Sequence, residues 1–130
     1  YALHHPELFS SACPLSAATG PANVDEMEKY ILWQAAKGIS GSDKEQYYNN
    51  YSVVNLINNI SEKDKKAVRW YIDCGDDDFL FEGNSLVHIA MRKKEIPHEF
   101  RIRDGGHTWS YWRSALPNVL EFISMSFHQY

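Results

Sequence analysis

Two short stretches hold residues that could do chemistry together: Asp73-Cys74-Gly75-Asp76-Asp77-Asp78-Phe79-Leu80 and Gly105-Gly106-His107-Thr108-Trp109-Ser110-Tyr111-Trp112. An acid on the loop after one strand and a histidine on the loop after the next is an arrangement in which a carboxylate fixes an imidazole's tautomer while the imidazole moves a proton. Three aspartates compete for the acid's part. One reading makes Asp76 and Asp77 caps of the following helix and Asp78 a further acid in its first turn; the other aims one carboxylate at a histidine. Of the six histidines, His4 and His5 precede Pro6, His88 lies in a helix, His98 opens a strand and His128 lies near the C-terminus, where solvated or packing roles suit them all. His107 follows two glycines on a strand-to-helix loop, where a tight turn can offer an imidazole to a cleft. A general-base role is favoured for it over a turn residue capping the last helix.

The nucleophile is missing. No G-x-S-x-G string occurs between a strand and a helix. The nearest approach, Gly38-Ile39-Ser40-Gly41-Ser42, lacks the last glycine, and Ser10, Ser11 and Ser16 lack the flanking glycines of a strained elbow. No H-E-x-x-H, paired C-x-x-C or EF-hand spacing is present, so no metal site is expected. Gly105-Gly106 has neither the lysine of a P-loop nor the third glycine of a dinucleotide fingerprint, and no cofactor is expected.

These residues need strands and helices to position them. Phe9 to Leu15, Ala67 to Cys74 and Glu99 to Arg103 read as short strands of a sheet buried on both faces. Between the last two, Leu86, Val87, Ala90 and Met91 form an apolar stripe on a helix over Asn84 to Lys94. A strand, a helix and a strand in this order imply a right-handed crossover and parallel pairing. The stretch from Trp109 to Gln129 has the one-face pattern of a packed terminal helix, with a kink or restart expected at Pro117. Residues 20 to 65 differ in character: a helix is expected over Val24 to Lys37, then turns, then a tyrosine-rich segment. Such an excursion between core strands is either a cap over a site or a plain surface feature.

At 130 residues, 44% hydrophobic and 23% charged, the sequence fits one globular domain. A net charge of −4 argues against nucleic acid or an anionic membrane as partner, and no apolar run is long enough to span a bilayer. Cys13 and Cys74 near strand ends are expected to be free thiols packed as small hydrophobes.

The sequence resembles the putative esterase family of α/β-hydrolases, which includes S-formylglutathione hydrolases, feruloyl and acetyl-xylan esterases, tributyrin-type esterases and mycolyltransferases. Tyr1-Ala2-Leu3-His4-His5-Pro6-Glu7-Leu8-Phe9 is similar to the end of the helix that follows that family's nucleophile. Tyr71 to Leu80 resembles its acid loop, in which the acid is the last aspartate before Phe-Leu, and this selects Asp78. Gly105 to Trp112 resembles its histidine loop and selects His107. The resemblance implies the C-terminal part of an α/β-hydrolase fold: about three parallel strands with flanking helices and a cap-like insertion over 20–65. It implies a serine carboxylester hydrolase in which Asp78 and His107 serve a serine that would lie upstream of Tyr1, so that this chain alone would be inactive. Trp109 is a candidate substrate contact, and the substrate would be a small-molecule ester such as an acylated sugar. An incomplete sheet would seek the missing N-terminal half or another copy of the chain. A noncatalytic carbohydrate-binding module, resting on Trp109, Tyr111 and Trp112, and an α/β interaction domain are the competing readings.

Overall fold

In a computed structural model, which describes residues 1–29 and 43–127, the strands β1 (Ser11–Ala12), β2 (Arg69–Gly75) and β3 (His98–Arg103) form one sheet in the order β1-β2-β3. Both pairings are parallel, with Trp70 beside His98 and Gly75 beside Arg103. The chain is therefore α/β, as its alternation of strand and helix patterns implied. β2 is buried along almost its whole length, which suits a central parallel strand covered on both faces.

Alternate β2 residues feed two cores. Trp70 and Ile72 point to α3 (Phe81–Lys93), where they meet Val87, Ala90 and Met91 together with Ile57 and Val68. Tyr71 points to the opposite face and packs on Val119 and Phe122 of α4 (Trp109–Ser124). Two short helices, α1 (Lys44–Tyr51) and α2 (Val53–Asn58), lie between β1 and β2 and are capped by Asp43 and Ser52. Ser52 accepts from the Asn55 amide and donates to the Pro21 carbonyl, which ties α2 to the segment leaving β1.

Several expectations change. β1 is shorter than Phe9 to Leu15; after it only an isolated bridge pairs Leu15 with Asp73. Pro14 has no N–H for a ladder, although its carbonyl accepts from the Asp73 amide at 3.2 Å. α3 starts at Phe81 rather than Asn84 and takes in Gly83, where Thr19 approaches too closely for a side chain. α4 runs through Pro117 without a restart. Proline deprives the Arg113 carbonyl of its helical donor, but both residues are exposed, so water can serve instead. Val24–Lys29 is a 3-10 helix; the rest of the helix expected to Lys37, the serine-glycine turn and His128 lie outside the described residues. Cys13 and Cys74 are free thiols, and burial pushes Cys74 up to about 11.

Beside β1, an apolar hollow of about 370 Å³ opens among Leu3, Cys13, Ala17, Trp70, Val87 and Met91. Asn84 lies in its wall, fully buried; its Nδ2 donates to the Ala17 and Leu80 carbonyls, while its Oδ1 has no partner among the described residues.

Candidate active site

Parallel pairing brings the loops that follow β2 and β3 out at the same end of the sheet, where open α/β sheets place their ligands. Backbone bonds stitch them together. The Asp76 amide donates to the Arg103 carbonyl and the Asp77 amide to the Gly105 carbonyl, both at 3.1 Å, and the Gly105 amide donates to Asp76 Oδ1 at 3.0 Å. A Cβ on Gly75 would overlap the Gly105 carbonyl, so glycine is required for the close approach of the two backbones. Gly105 has φ +135, a conformation open to glycine. Asp76 thus fastens one loop to the other. Neither Asp76 nor Asp77 caps α3, whose N-cap position is Leu80 and has no side-chain cap bond.

Asp78 and His107 meet across this seam. His107 Nδ1 lies 3.0 Å from Asp78 Oδ2 and 3.2 Å from Oδ1. A carboxylate only accepts, so Nδ1 carries the proton and Nε2 is left with its lone pair on the other side of the ring. The Asp78 residue is 4% exposed, and its Oδ1 also accepts from the Leu80 amide at 2.9 Å. Burial pushes the Asp78 carboxyl up. Hydrogen bonds from Ser16, the Leu80 amide and His107, with the charge of His107, outweigh that push and hold it below its ordinary 3.8. Phe79 lies 4.7 Å from the His107 ring, and Trp112 meets that ring edge-on at 4.8 Å.

Thr108, not His107, caps α4, its Oγ1 accepting from the Tyr111 amide. That leaves the imidazole free of a helix-capping duty. Trp109, at the first position of α4, is 71% exposed and packs edge-on against Trp112 at 5.3 Å, one ring away from His107.

Below the loops lies a polar network that the sequence analysis did not single out. Asp73 is fully buried on β2; Tyr111 donates to its Oδ1 at 2.5 Å, Tyr71 to its Oδ2 at 3.2 Å, and Arg103 pairs with Oδ2 at 3.1 Å. A charge inside an apolar strand run was its signal, because a buried carboxylate must be paired and hydrogen-bonded. Burial, then the hydrogen bond to Asp73, pushes the Tyr111 phenol well up, so it stays a donor. The network joins β2, β3 and the first turn of α4, and so fixes where the histidine loop begins and ends. His88 and His98, for which solvated or packing roles were both open, meet at 2.8 Å, and His88 stacks on Phe100.

Among the described residues, Asp76, Asp77 and Asp104 have carboxylates close enough to share a cation, but all three are exposed, and Asp76 Oδ1 already accepts from Gly105.

With this geometry in view, comparison with known proteins places the chain. The family model described as "Putative esterase" matches residues 1–123. The chain belongs to that family. An acetyl esterase of Caldicellulosiruptor saccharolyticus is 26% identical over 84 residues, which cover 65% of this chain and 29% of that protein. Among solved structures, a ferulic acid esterase is 34% identical with a TM-score of 0.71, over 95% of this chain and 44% of the other. An S-formylglutathione hydrolase from Staphylococcus aureus is 25% identical with a TM-score of 0.62, over 94% of this chain and 47% of the other. The chain thus spans less than half the length of these structures. The expected fold, part of an α/β-hydrolase with three parallel strands and flanking helices, is the fold observed.

Proposed function

We propose that this chain supplies the general base and its orienting acid to a serine carboxylester hydrolase that works through an acyl-enzyme. The observation that carries this reading is the 3.0 Å contact between His107 Nδ1 and the buried Asp78 carboxylate, at the end of the sheet where both loops emerge. An acid and a histidine placed by chance would have no reason to meet there, so the interaction-domain reading loses its support.

In the proposed cycle a serine from outside these 130 residues attacks the ester carbonyl as His107 Nε2 takes its proton. The tetrahedral intermediate collapses, and His107 returns that proton to the departing alcohol, leaving the acyl group on the serine. Water then attacks the acyl-enzyme, with His107 again taking and returning one proton, and the carboxylic acid leaves. Asp78 holds the imidazole in place and stabilises its charged form. Relatives named for acetyl and feruloyl esters favour a small acyl or aryl ester, including one carried on a sugar. The exposed faces of Phe79, beside His107, and of Trp109, one ring further out, suit a sugar or aryl ring. That placement favours a substrate contact at this site over a separate carbohydrate-binding role.

The rest of the fold has a place to go. β1 pairs only with β2 among the described residues, the hollow beside it is apolar, and Asn84 Oδ1 in its wall has no donor. A segment that adds a strand to β1 and fills the hollow would satisfy all three, and the missing half is proposed as its source, or failing that a second copy of the chain. Sedimentation of the 130-residue chain should show self-association, or complex formation with the complementary half; a monodisperse monomer indifferent to that half would count against it.

Activity is tested with p-nitrophenyl acetate in the hydrolase that contains this chain. His107→Ala should abolish nearly all turnover, and near-normal turnover would remove His107 from its assigned role.

A further inference from the structure

One side chain holds the histidine loop on both sides of His107. Gly105, two residues before it, has φ +135 and lies so close to the Tyr111 ring that a Cβ there would come within 2.9 Å of Tyr111 Cδ2. Thr108, one residue after it, accepts the Tyr111 amide on Oγ1 at 3.3 Å, and its own amide donates to the Gly106 carbonyl at 2.8 Å. The imidazole therefore leaves the backbone between two points that Tyr111 touches.

Tyr111 is in turn fixed from below. It is 5% exposed, and its hydroxyl donates at 2.5 Å to Oδ1 of Asp73, fully buried on the central strand. Tyr71 and Arg103 hold Asp73 Oδ2. Arg103 also donates to the Tyr71 hydroxyl at 3.2 Å and to Asn118 of α4 at 3.4 Å. A carboxylate braced in this way cannot turn to follow the phenol. A hydrogen bond to a charged acceptor is about twice as strong as one between neutral groups and has a preferred direction. Packed apolar side chains often match a buried ion pair in stability; what they do not supply is one fixed position for the ring.

We propose that Tyr111, anchored on Asp73, is a positioning residue for the general base: its ring seats Gly105 and its amide holds Thr108, and together these keep the His107 imidazole at hydrogen-bond distance from Asp78. This role rests on those proposed above for His107 and Asp78. Tyr111 and Asp73 act through the backbone of the loop and not at the reacting atoms.

Two variants separate this role from a merely structural one. Tyr111→Phe keeps the ring against Gly105 and removes only the tie to Asp73. Tyr71→Phe removes the other phenol from the same carboxylate, but Tyr71 packs on Val119 and Phe122 of α4, so it is the control for loss of a buried donor as such. Both are made in the hydrolase that contains this chain, with p-nitrophenyl acetate as substrate. The low-field 1H NMR resonance of the His107 Nδ1 proton, assigned by its absence in His107→Ala, is followed beside kcat and KM.

Tyr111→Phe should lower kcat about tenfold with KM little changed, as a small displacement of a proton-transfer group does. It should also move the His107 resonance upfield as the contact with Asp78 lengthens. Tyr71→Phe should leave kcat and the resonance close to wild type. An unmoved resonance or an unchanged kcat in Tyr111→Phe, or equal losses in the two variants, overturns the proposal. If Tyr111→Phe does not fold, Thr108→Val, at an exposed position, cuts the bond to the Tyr111 amide instead, and an unmoved resonance there overturns the proposal as well. Should His107→Ala retain full activity while Tyr111→Phe still moves the His107 resonance, the catalytic reading fails and the link from Asp73 through Tyr111 to His107 stands, so the two failures are distinguishable.

Discussion

The seam between the β2 and β3 loops and the flank beside β1 are built to opposite standards. At the seam three acids have partners: Asp76 holds Gly105, Asp78 holds Leu80 and His107, and Asp73 beneath holds two phenols and a guanidinium. At the flank, among the described residues, a two-residue strand pairs on one edge only, an apolar hollow lies open, and a buried amide oxygen has no donor. The contrast teaches that the acid–base half of the proposed site is assembled by contacts within the chain. What lacks partners among the described residues is the surface proposed above to receive a nucleophile-bearing half.

If the seam is functional, breaking it should have the larger consequences. The greatest effect belongs to Asp78→Asn, which keeps the shape but removes the charge that fixes the imidazole. Ester turnover in the hydrolase should fall by roughly 10^3- to 10^4-fold with KM little affected, measured in steady-state kinetics. Next comes Gly75→Ala. Its methyl group would overlap the Gly105 carbonyl and force the two loops apart, at a stability cost of about 3 kcal/mol by urea denaturation. An equally stable variant would show that the loops are not locked.

Tyr111→Phe tests the support below. It removes a donor from the buried Asp73 carboxylate and should cost about 2 kcal/mol, again by urea denaturation. The smallest effect is on pH dependence. The folded Asp78 carboxyl titrates below its ordinary value of 3.8. Its contribution to stability is therefore present above that value and is lost as pH falls below about 4 and through the folded pKa. Thermal melts of wild type between pH 5 and pH 2 should lose more stability than those of Asp78→Asn; parallel curves would contradict the assignment.

Much of the seam was legible in the sequence, because strand–loop–helix–strand–loop–helix is local and parallel pairing follows from it. His107 could be picked out from its loop, whereas among three aspartates Asp78 was selected only by the resemblance of its loop to that of the esterase family. The contacts that hold them could not. Trp112 and Ser16 are 96 residues apart in sequence, and nothing near Ser16 marks its hydroxyl as the acceptor of an indole N–H. Helix capping is one of the two roles the sequence offers Asp76, because acids before a helix are common, while its tie to Gly105 depends on register between two strands. Pro117 illustrates the converse. A breaker by local rule, it is carried inside α4 by the burial of Tyr111, Ala115, Val119 and Phe122 on the opposite face.

The most direct measurement is to treat the hydrolase that contains this chain with a fluorophosphonate and map the adduct by peptide mass spectrometry. The adduct should sit on a serine outside these 130 residues, and His107→Ala should suppress it. An adduct on a serine within the chain, or undiminished labelling without His107, would contradict a split in which this chain holds the acid and base and another segment holds the nucleophile.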